Sequence, residues 1–307
     1  MYLSSRIFVL LLLVSQISLA QSPTTPLQSY LNSVRQGSYA PVPQAILQDT
    51  AHAATMLNAL SPYQSDTLTT VRSRAYNIAK RVGQQSTRLP VRQAATAQLA
   101  QGIADPNAGV SGNASDALTS FRPADFTSAT QDQLINQLQA NTPHLDQVAM
   151  LVGFLRLEDA RPTLQSLLSA KVSPTTRWAI RLALARLGDE AAIEYILDKL
   201  NAAPVNDALV YDIVPGLVYT RQPAIFEYLK TLIMSDERLC QSADPDQGGN
   251  ILCGYRVMEA MAPVLKDFPV AVDAYGELVT DDYEQSLREV RDWLSEQKEY
   301  RMRTEEY

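Results

Sequence analysis

The chain has 307 residues, 46% of them hydrophobic and 19% charged, with a formal net charge of −7. That length is enough for a substantial core, in one elongated domain or two compact ones. The acidic balance excludes a non-specific nucleic-acid binder, which needs a basic face to displace counterions. Much of the negative excess sits from Glu277 onward, in Glu277, Asp281, Asp282, Glu284, Glu289, Asp292, Glu296, Glu299, Glu305 and Glu306. The rest is nearly neutral, so no strong steering field is implied.

The chain opens with Arg6, an unbroken apolar run from Ile7 to Val14, and Ser18-Leu19-Ala20. A basic start, a short apolar core and a small-x-small site predict a secretory signal over residues 1–20, cleaved after export. The competing reading, an uncleaved anchor, needs a longer apolar run. No cysteine lies at the cleavage point, so a periplasmic or secreted protein is expected rather than a lipid-anchored one. The two cysteines, Cys240 and Cys253, are then expected to form a disulfide.

After a short leader, residues 21–62 predict an N-terminal helical segment, Leu27 to Arg35 and then Gln44 to Leu60, ended by Pro62. Residues 63–143 read as divergent helical repeats: Val71 to Val82 stopped by Gly83, Leu89 to Ile103, Ala114 to Phe121 and Thr130 to Leu138. Residues 144–280 show a legible repeat. Gly153-Phe154-Leu155-Arg156-Leu157-Glu158-Asp159 matches Ala183-Leu184-Ala185-Arg186-Leu187-Gly188-Asp189, thirty positions on. Leu164, Leu167 and Leu168 align with Ile193, Ile196 and Leu197, then with Ile225, Tyr228 and Leu229, then with Ala271, Ala274 and Tyr275. Pro223 and Pro269 each read as a helix start, where proline is tolerated.

The step from Pro223 to Pro269 is forty-six residues, against thirty to thirty-seven elsewhere. The excess falls in residues 236–253, read as an inserted loop stapled at its base by Cys240 and Cys253. A crosslink of that span is worth roughly 3 kcal/mol in the chain-entropy account. Beyond residue 280, Tyr283, Leu287, Val290 and Leu294 make an apolar stripe on a charged helix, so residues 281–307 are expected to cap the array.

Pro174 to Leu200 carries Arg177, Ala179, Ala183, Leu184, Leu187, Gly188, Asp189, Ala192, Ile193, Ile196, Leu197 and Leu200. In these positions it resembles the HEAT-like repeat family, in its bacterial short form. The resemblance implies an all-α chain: an α-solenoid of about six antiparallel helix pairs with a C-terminal capping helix. It also implies a surface that binds proteins and acts as a scaffold, with little chemistry of its own.

Arg177, Arg181, Tyr211 and Arg256 fall on the second helices of successive repeats and are the candidate binding residues, suited to a peptide or an acidic partner; a solvated helix face is the plainer alternative. His52 and His144 read as cap or packing residues, and Glu158/Asp159 and Asp189/Glu190 as acids at helix starts. Asn113-Ala114-Ser115 has the N-glycosylation pattern. No P-loop, GxSxG, GxGxxG, CxxC or HExxH occurs, so no cofactor, metal or catalytic residue is expected. The expectation is a non-enzymatic exported scaffold that binds another protein or peptide, not nucleic acid, and does not insert in a membrane once the signal is removed. The alternative is an all-α hydrolase of envelope glycans with a buried carboxylate.

Overall fold

A computed structural model describes residues 22–139, 142–242 and 248–307. The expected signal peptide lies outside the described residues, as do residues 243–247 of the predicted loop. Helix accounts for 64% of the structure, in fifteen helices. In order they are α1 (Thr25–Arg35), α2 (Gln44–Leu47), α3 (Ala53–Gln64), α4 (Thr69–Gln85), α5 (Leu89–Gly102), α6 (Ala108–Leu118), α7 (Ser128–Gln139), α8 (Leu145–Phe154), α9 (Arg161–Leu168) and α10 (Pro174–Arg186). There follow α11 (Glu190–Ala202), α12 (Val214–Thr220), α13 (Pro223–Met234), α14 (Gly254–Met261) and α15 (Tyr283–Glu296). Among the described residues the one sheet is a two-stranded antiparallel ribbon, β1 (Cys240–Gln241) with β2 (Asn250–Ile251). No helix among them is long and apolar enough to cross a membrane.

Helices pack in two interleaved series. In one, α4 touches α6, α6 touches α8, α8 touches α10, α10 touches α12 and α12 touches α14. In the other, α3 meets α5, α5 meets α7, α7 meets α9, α11 meets α13 and α13 meets α15. Members of the two series pair as sequence neighbours, such as α3 with α4, α9 with α10 and α13 with α14. Helix ends are set by local chemistry: Asn107, Ser173, Asp189 and Asp282 each accept a backbone N–H at the start of α6, α10, α11 and α15, satisfying donors the helix leaves open. The core is continuous, from Leu27 and Leu31 through Phe154 and Phe226 to Leu294.

The structure revises several boundaries. The helix expected over Gln44–Leu60 is broken, because the Asp49 carboxylate accepts from the backbone N–H of His52 at 3.1 Å, a local bond that competes with helix. Pro62 does not end α3, which runs to Gln64; the proline is exposed in the last turn, where one missing N–H costs little. Gly83 lies inside α4 rather than stopping it. A Cβ there would sit 2.5 Å from the Cβ of Ala95 and 3.0 Å from the Phe121 ring, so the glycine serves close approach between α4 and α5.

The repeat register also moves. Ala160 and Leu164, Ala192 and Ile196, and Ile225 and Leu229 are the equivalent buried pairs, which sets the repeat at 32 and then 33 positions (160, 192, 225). The helix ends agree: Leu157 N–H reaches Val152 O, and Asp189 N–H reaches Leu184 O. Each end turns on a left-handed residue, Arg156 (φ 55°) and Gly188 (φ 80°). Aligning Arg156 with Arg186 misplaced the register by two, because α10 continues past that position before its left-handed turn.

No helix begins at Pro269. Residues 262–282 form a turn-rich segment. Asp273 Oδ1 accepts from the N–H groups of Tyr275 and Glu277, at 2.7 and 3.0 Å, and Val272 bridges to Leu278. The positive φ of Gly276 completes that turn, and a carboxylate capturing its own backbone two and four residues on is stronger local information than the weak helical pattern. At the end of the chain the helix covers Tyr283–Glu296 only; residues 297–307 continue without helix.

Candidate binding surface

Buried or half-buried arginines organise the turns between helices. In α4, Arg72 Nε and Nη2 donate to both oxygens of Asp105, at 2.7 and 2.9 Å, while Nη1 donates to Asp66 O at 2.9 Å. Arg92, on α5, repeats the arrangement with Asp125 (2.7 Å) and Thr87 O (2.9 Å). Each arginine lies one turn into its helix and reaches back to carbonyls five and six residues earlier, so the pattern locks a helix start to the turn of a neighbouring pair. Burial alone would raise Asp105, but hydrogen bonds from Arg72 and Asn107, with the arginine's charge, outweigh it and hold the carboxyl below its ordinary value. The backbone N–H of Leu68, then Arg35, lowers Asp66 in the same way.

The four candidates read from the sequence separate into three places. Arg177 is half-buried and donates weakly to Ala170 O and Val172 O, both at 3.4 Å, which is the turn-bracing position of Arg72 and Arg92. Arg181 stacks its guanidinium on the Tyr195 ring, 3.4 Å from the centroid, a cation–π contact between α10 and α11. Tyr211 and Arg256 meet: the guanidinium lies 5.3 Å from the ring centroid of Tyr211, which is 50% exposed. Arg256 also pairs with Glu259 at 2.9 Å, and Glu259 accepts from Tyr283 Oη at 2.9 Å. Tyr211 stands out because residues Leu209–Ile213 form a π-helical turn just before Pro215, whose missing N–H cannot extend regular helix.

A second cluster, absent from the sequence reading, sits where α8, α10 and α12 end. It comprises Phe154, Arg186, Tyr219 and Arg221. The two arginines are 4% and 9% exposed, and neither forms a direct ion pair with an aspartate or glutamate side chain among the described residues, although the Glu306 charge favours the Arg221 cation. Arg186 donates to Tyr219 O and Arg221 to Val218 O, filling carbonyls left open at the end of α12. Burial lowers the pKa of both; the charge of Arg186 adds to burial at Arg221, which falls to about 9. Burial raises the Tyr219 phenol well above its ordinary value, and its hydroxyl donates to Met150 O at 2.5 Å. Room for that hydroxyl depends on Gly153, where a Cβ would fall 2.8 Å from the Cα of Ala183 and clash with Tyr219 Oη.

Residues 297–307 lie over this cluster as an extended strap. Tyr300 donates to Glu227 at 2.6 Å; Lys266 N–H reaches Arg301 O at 2.7 Å and Arg303 N–H reaches Val264 O at 2.8 Å. Met302 bridges antiparallel to Leu265. Arg221 then donates to the backbone oxygens of Arg303 (2.8 Å), Glu306 (3.4 Å) and the last residue, Tyr307 (3.4 Å), and Arg186 to those of Glu306 (3.2 Å) and Thr304 (3.4 Å). The Tyr307 ring sits 5.4 Å from both Phe154 and Tyr219. The strap thus passes in turn from the end of α14 to those of α12, α10 and α8, held mainly by its backbone. The hint in the sequence was an arginine closing each repeat helix: Arg156 and Arg186, which served there only as a register mark, and Arg221, which the sequence reading did not use.

Elsewhere, His144 Nε2 lies 2.8 Å from Ala108 O, which requires that nitrogen to carry the proton, and His52 pairs with Asp49. Ser73, Asn77, Lys80, Asn113 and Asp116 border a polar groove between α4 and α6. Cys240 and Cys253 are bonded, closing the predicted loop at its base beside the ribbon; a disulfide is compatible with an extracellular or periplasmic location. No family, curated protein or solved structure matches the chain.

Proposed function

We propose that the chain is an exported, non-enzymatic α-solenoid of HEAT-like helix pairs that binds an extended segment of another protein or peptide. The observation that carries this reading is the strap: a non-helical peptide held through its backbone oxygens by the side chains of Arg186 and Arg221, at the ends of α10 and α12, and by backbone bonds beyond the end of α14. Main-chain recognition of that kind gives affinity with little demand on sequence, and neighbouring pockets add selectivity. Helix pairs that contact only near neighbours, joined by turns braced with Arg72, Arg92 and Arg161, suit a scaffold whose repeated ends line one edge. The glycan-hydrolase alternative needs a protonated buried acid. Asp105 and Asp125 instead each meet an arginine, so no observation favours it.

Panning a random peptide library against the immobilised full chain tests the reading. Enrichment of a peptide family that binds in solution with a single-site isotherm is expected; repeated failure to enrich any peptide rejects it. Competition by Arg181→Glu or Tyr211→Ala would place the ligand on the surface around those residues.

A further inference from the structure

We propose that the groove between α4 and α6 is a binding site for a hydroxyl-rich oligosaccharide, with Tyr39 at its rim as the ring on which a sugar stacks. The site lies far along the chain from the strap and does not depend on the peptide-binding reading; either can fail alone.

The groove is concave and lined with hydrogen-bonding groups that the protein leaves unused. Its narrow part has a volume of about 190 Å³ and adjoins a wider hollow of about 490 Å³ that shares Ser73, Val110 and Asn113 with it. Leu99, Val110 and Ala117 are buried beneath it. The walls are polar, because α4 presents Ser73, Asn77 and Lys80 on successive turns and α6 presents Asn113 and Asp116 one turn apart, spacings that share a helix face. Among the described residues the side chains of Ser73, Asn77 and Asn113 make no hydrogen bond. Lys80 and Asp116 meet at 3.8 Å, too far for a hydrogen bond, and offset each other's charge. In the wider hollow Tyr39 is 85% exposed, yet its backbone is fixed on both sides. Ser38 N–H reaches Ser33 O and Gly37 N–H reaches Val34 O, an ending of α1 that uses the left-handed φ of 93° at Gly37 and closes the helix in a defined way. The Tyr30 hydroxyl then donates to Ala40 O at 3.2 Å. The chain thus holds an uncovered ring in place beside an empty polar groove.

Sugars and this lining match in kind. Each hydroxyl of a pyranose both donates and accepts, and a carboxamide sets two N–H donors beside a carbonyl acceptor, so Asn77 and Asn113 can each hold a pair of neighbouring hydroxyls. The C–H face of the same ring is apolar and lies flat on an aromatic, which Tyr39 supplies. An apolar hollow with a few placed polar groups is the usual composition of a small-ligand site. An extended peptide fits less well, since its alternate side chains need pockets of their own and these walls are amides, a hydroxyl and one ion pair. From Thr69 to Lys80 the groove follows α4 for about 16 Å, a length that suits several linked sugars rather than one. Glycoside hydrolysis uses two carboxyl groups, and Asp116 is the one carboxylate among the described residues bordering the groove, so the sugar is held and not cut.

The test applies the labelled full chain to a printed array of oligosaccharides and carries the strongest glycan into solution calorimetry. Retention of glycans that share one backbone, with a single-site isotherm, is expected. Tyr39→Ala should weaken binding about tenfold, and Asn77→Ala combined with Asn113→Ala at least as much, the worth of one or two lost hydrogen bonds. All three residues are exposed, so the variants should melt with the native chain and the loss reports contact rather than folding. Arg181→Glu and Tyr211→Ala, outside the groove, should bind the glycan as the native chain does. Affinity should also be unchanged by salt, because neutral amides and hydroxyls make the bonds. An array that retains no glycan, a glycan whose affinity ignores Tyr39, Asn77 and Asn113, or a signal that vanishes in salt overturns the proposal and leaves the peptide-binding reading untouched. Failure of peptide selection with glycan binding intact removes that reading and supports this site.

Discussion

The arginines of the two halves meet different partners: Arg72 is as buried as Arg186 and Arg221, and Arg92 is half-buried. In the first half, Arg72 forks onto both oxygens of Asp105, Arg92 donates to one oxygen of Asp125, and both also satisfy turn carbonyls, so charge and hydrogen-bonding capacity are both matched. In the second half, Arg186 and Arg221 donate to backbone oxygens, that of the last residue Tyr307 among them, and their pKa values fall with burial. The first arrangement stabilises a fold by completing it. The second closes two cations under the last residues of the chain. The lesson is that burial of an arginine says little by itself; what it faces separates a brace within one turn from a closure drawn from far along the sequence.

The comparison breaks first at Asp105. Asp105→Ala strands Arg72 and should cost about 3–5 kcal/mol by chemical denaturation, whereas the double change Arg72→Met with Asp105→Leu should cost clearly less. If the double change is as damaging as the single one, the pair is not a matched unit. The pH dependence has a definite sign. The folded pKa of Asp105 lies below its ordinary 3.8, so the stabilisation is fully present above that value and is lost as pH falls below it, through the folded pKa. Melting curves between neutral pH and pH 2 should lose this dependence in Asp105→Asn.

In the second half, the crosslink replaces some of that matching. Replacing both Cys240 and Cys253 with alanine should lower stability by roughly 3 kcal/mol if the loop-entropy account holds, and near-identity with native would deny the bond a structural role. Gly153→Ala forces α8 from α10 and presses on Tyr219, with an expected cost of about 1–3 kcal/mol and a change in tyrosine fluorescence as the hydroxyl loses Met150 O. The smallest effect belongs to Arg186→Met. Lost bonds to carbonyls are offset by relief of an unpaired buried charge, so about 1 kcal/mol or less is expected; a loss as large as that of Asp105→Ala would erase the distinction between the halves.

Much of the helical content was legible because apolar spacing decides burial: α5 and α7 lie close to where periodicity put them, and the stripe from Tyr283 to Leu294 lies on α15, though that helix stops eleven residues short of the expected end. Pro174 and Pro223 marked true helix starts. Pro269 did not, since the next residues carry Asp273 and Gly276, whose turn chemistry overrides a sparse stripe. The disulfide was legible from the cysteine count. The candidate ridge was only partly so, because one-dimensional spacing cannot tell whether an arginine reaches outward or back to its own turn; Arg177 reaches back, while Arg256 and Tyr211 meet. The cluster at Arg186 and Arg221 was invisible for a further reason: its occupant comes from residues more than eighty positions away, and nothing local to either partner announces the pairing.

The strap has a mechanical consequence. The Arg221 guanidinium reaches the backbone oxygens of both Arg303 and Tyr307, four residues apart, so the segment curves around that side chain with a bend at Glu305. It works as a clasp and not as a stretched cord: one side chain gathers the last five residues, and the ring of Tyr307 is set against α8 and α12 from there. Opening that single fastening would release the whole terminal hook together.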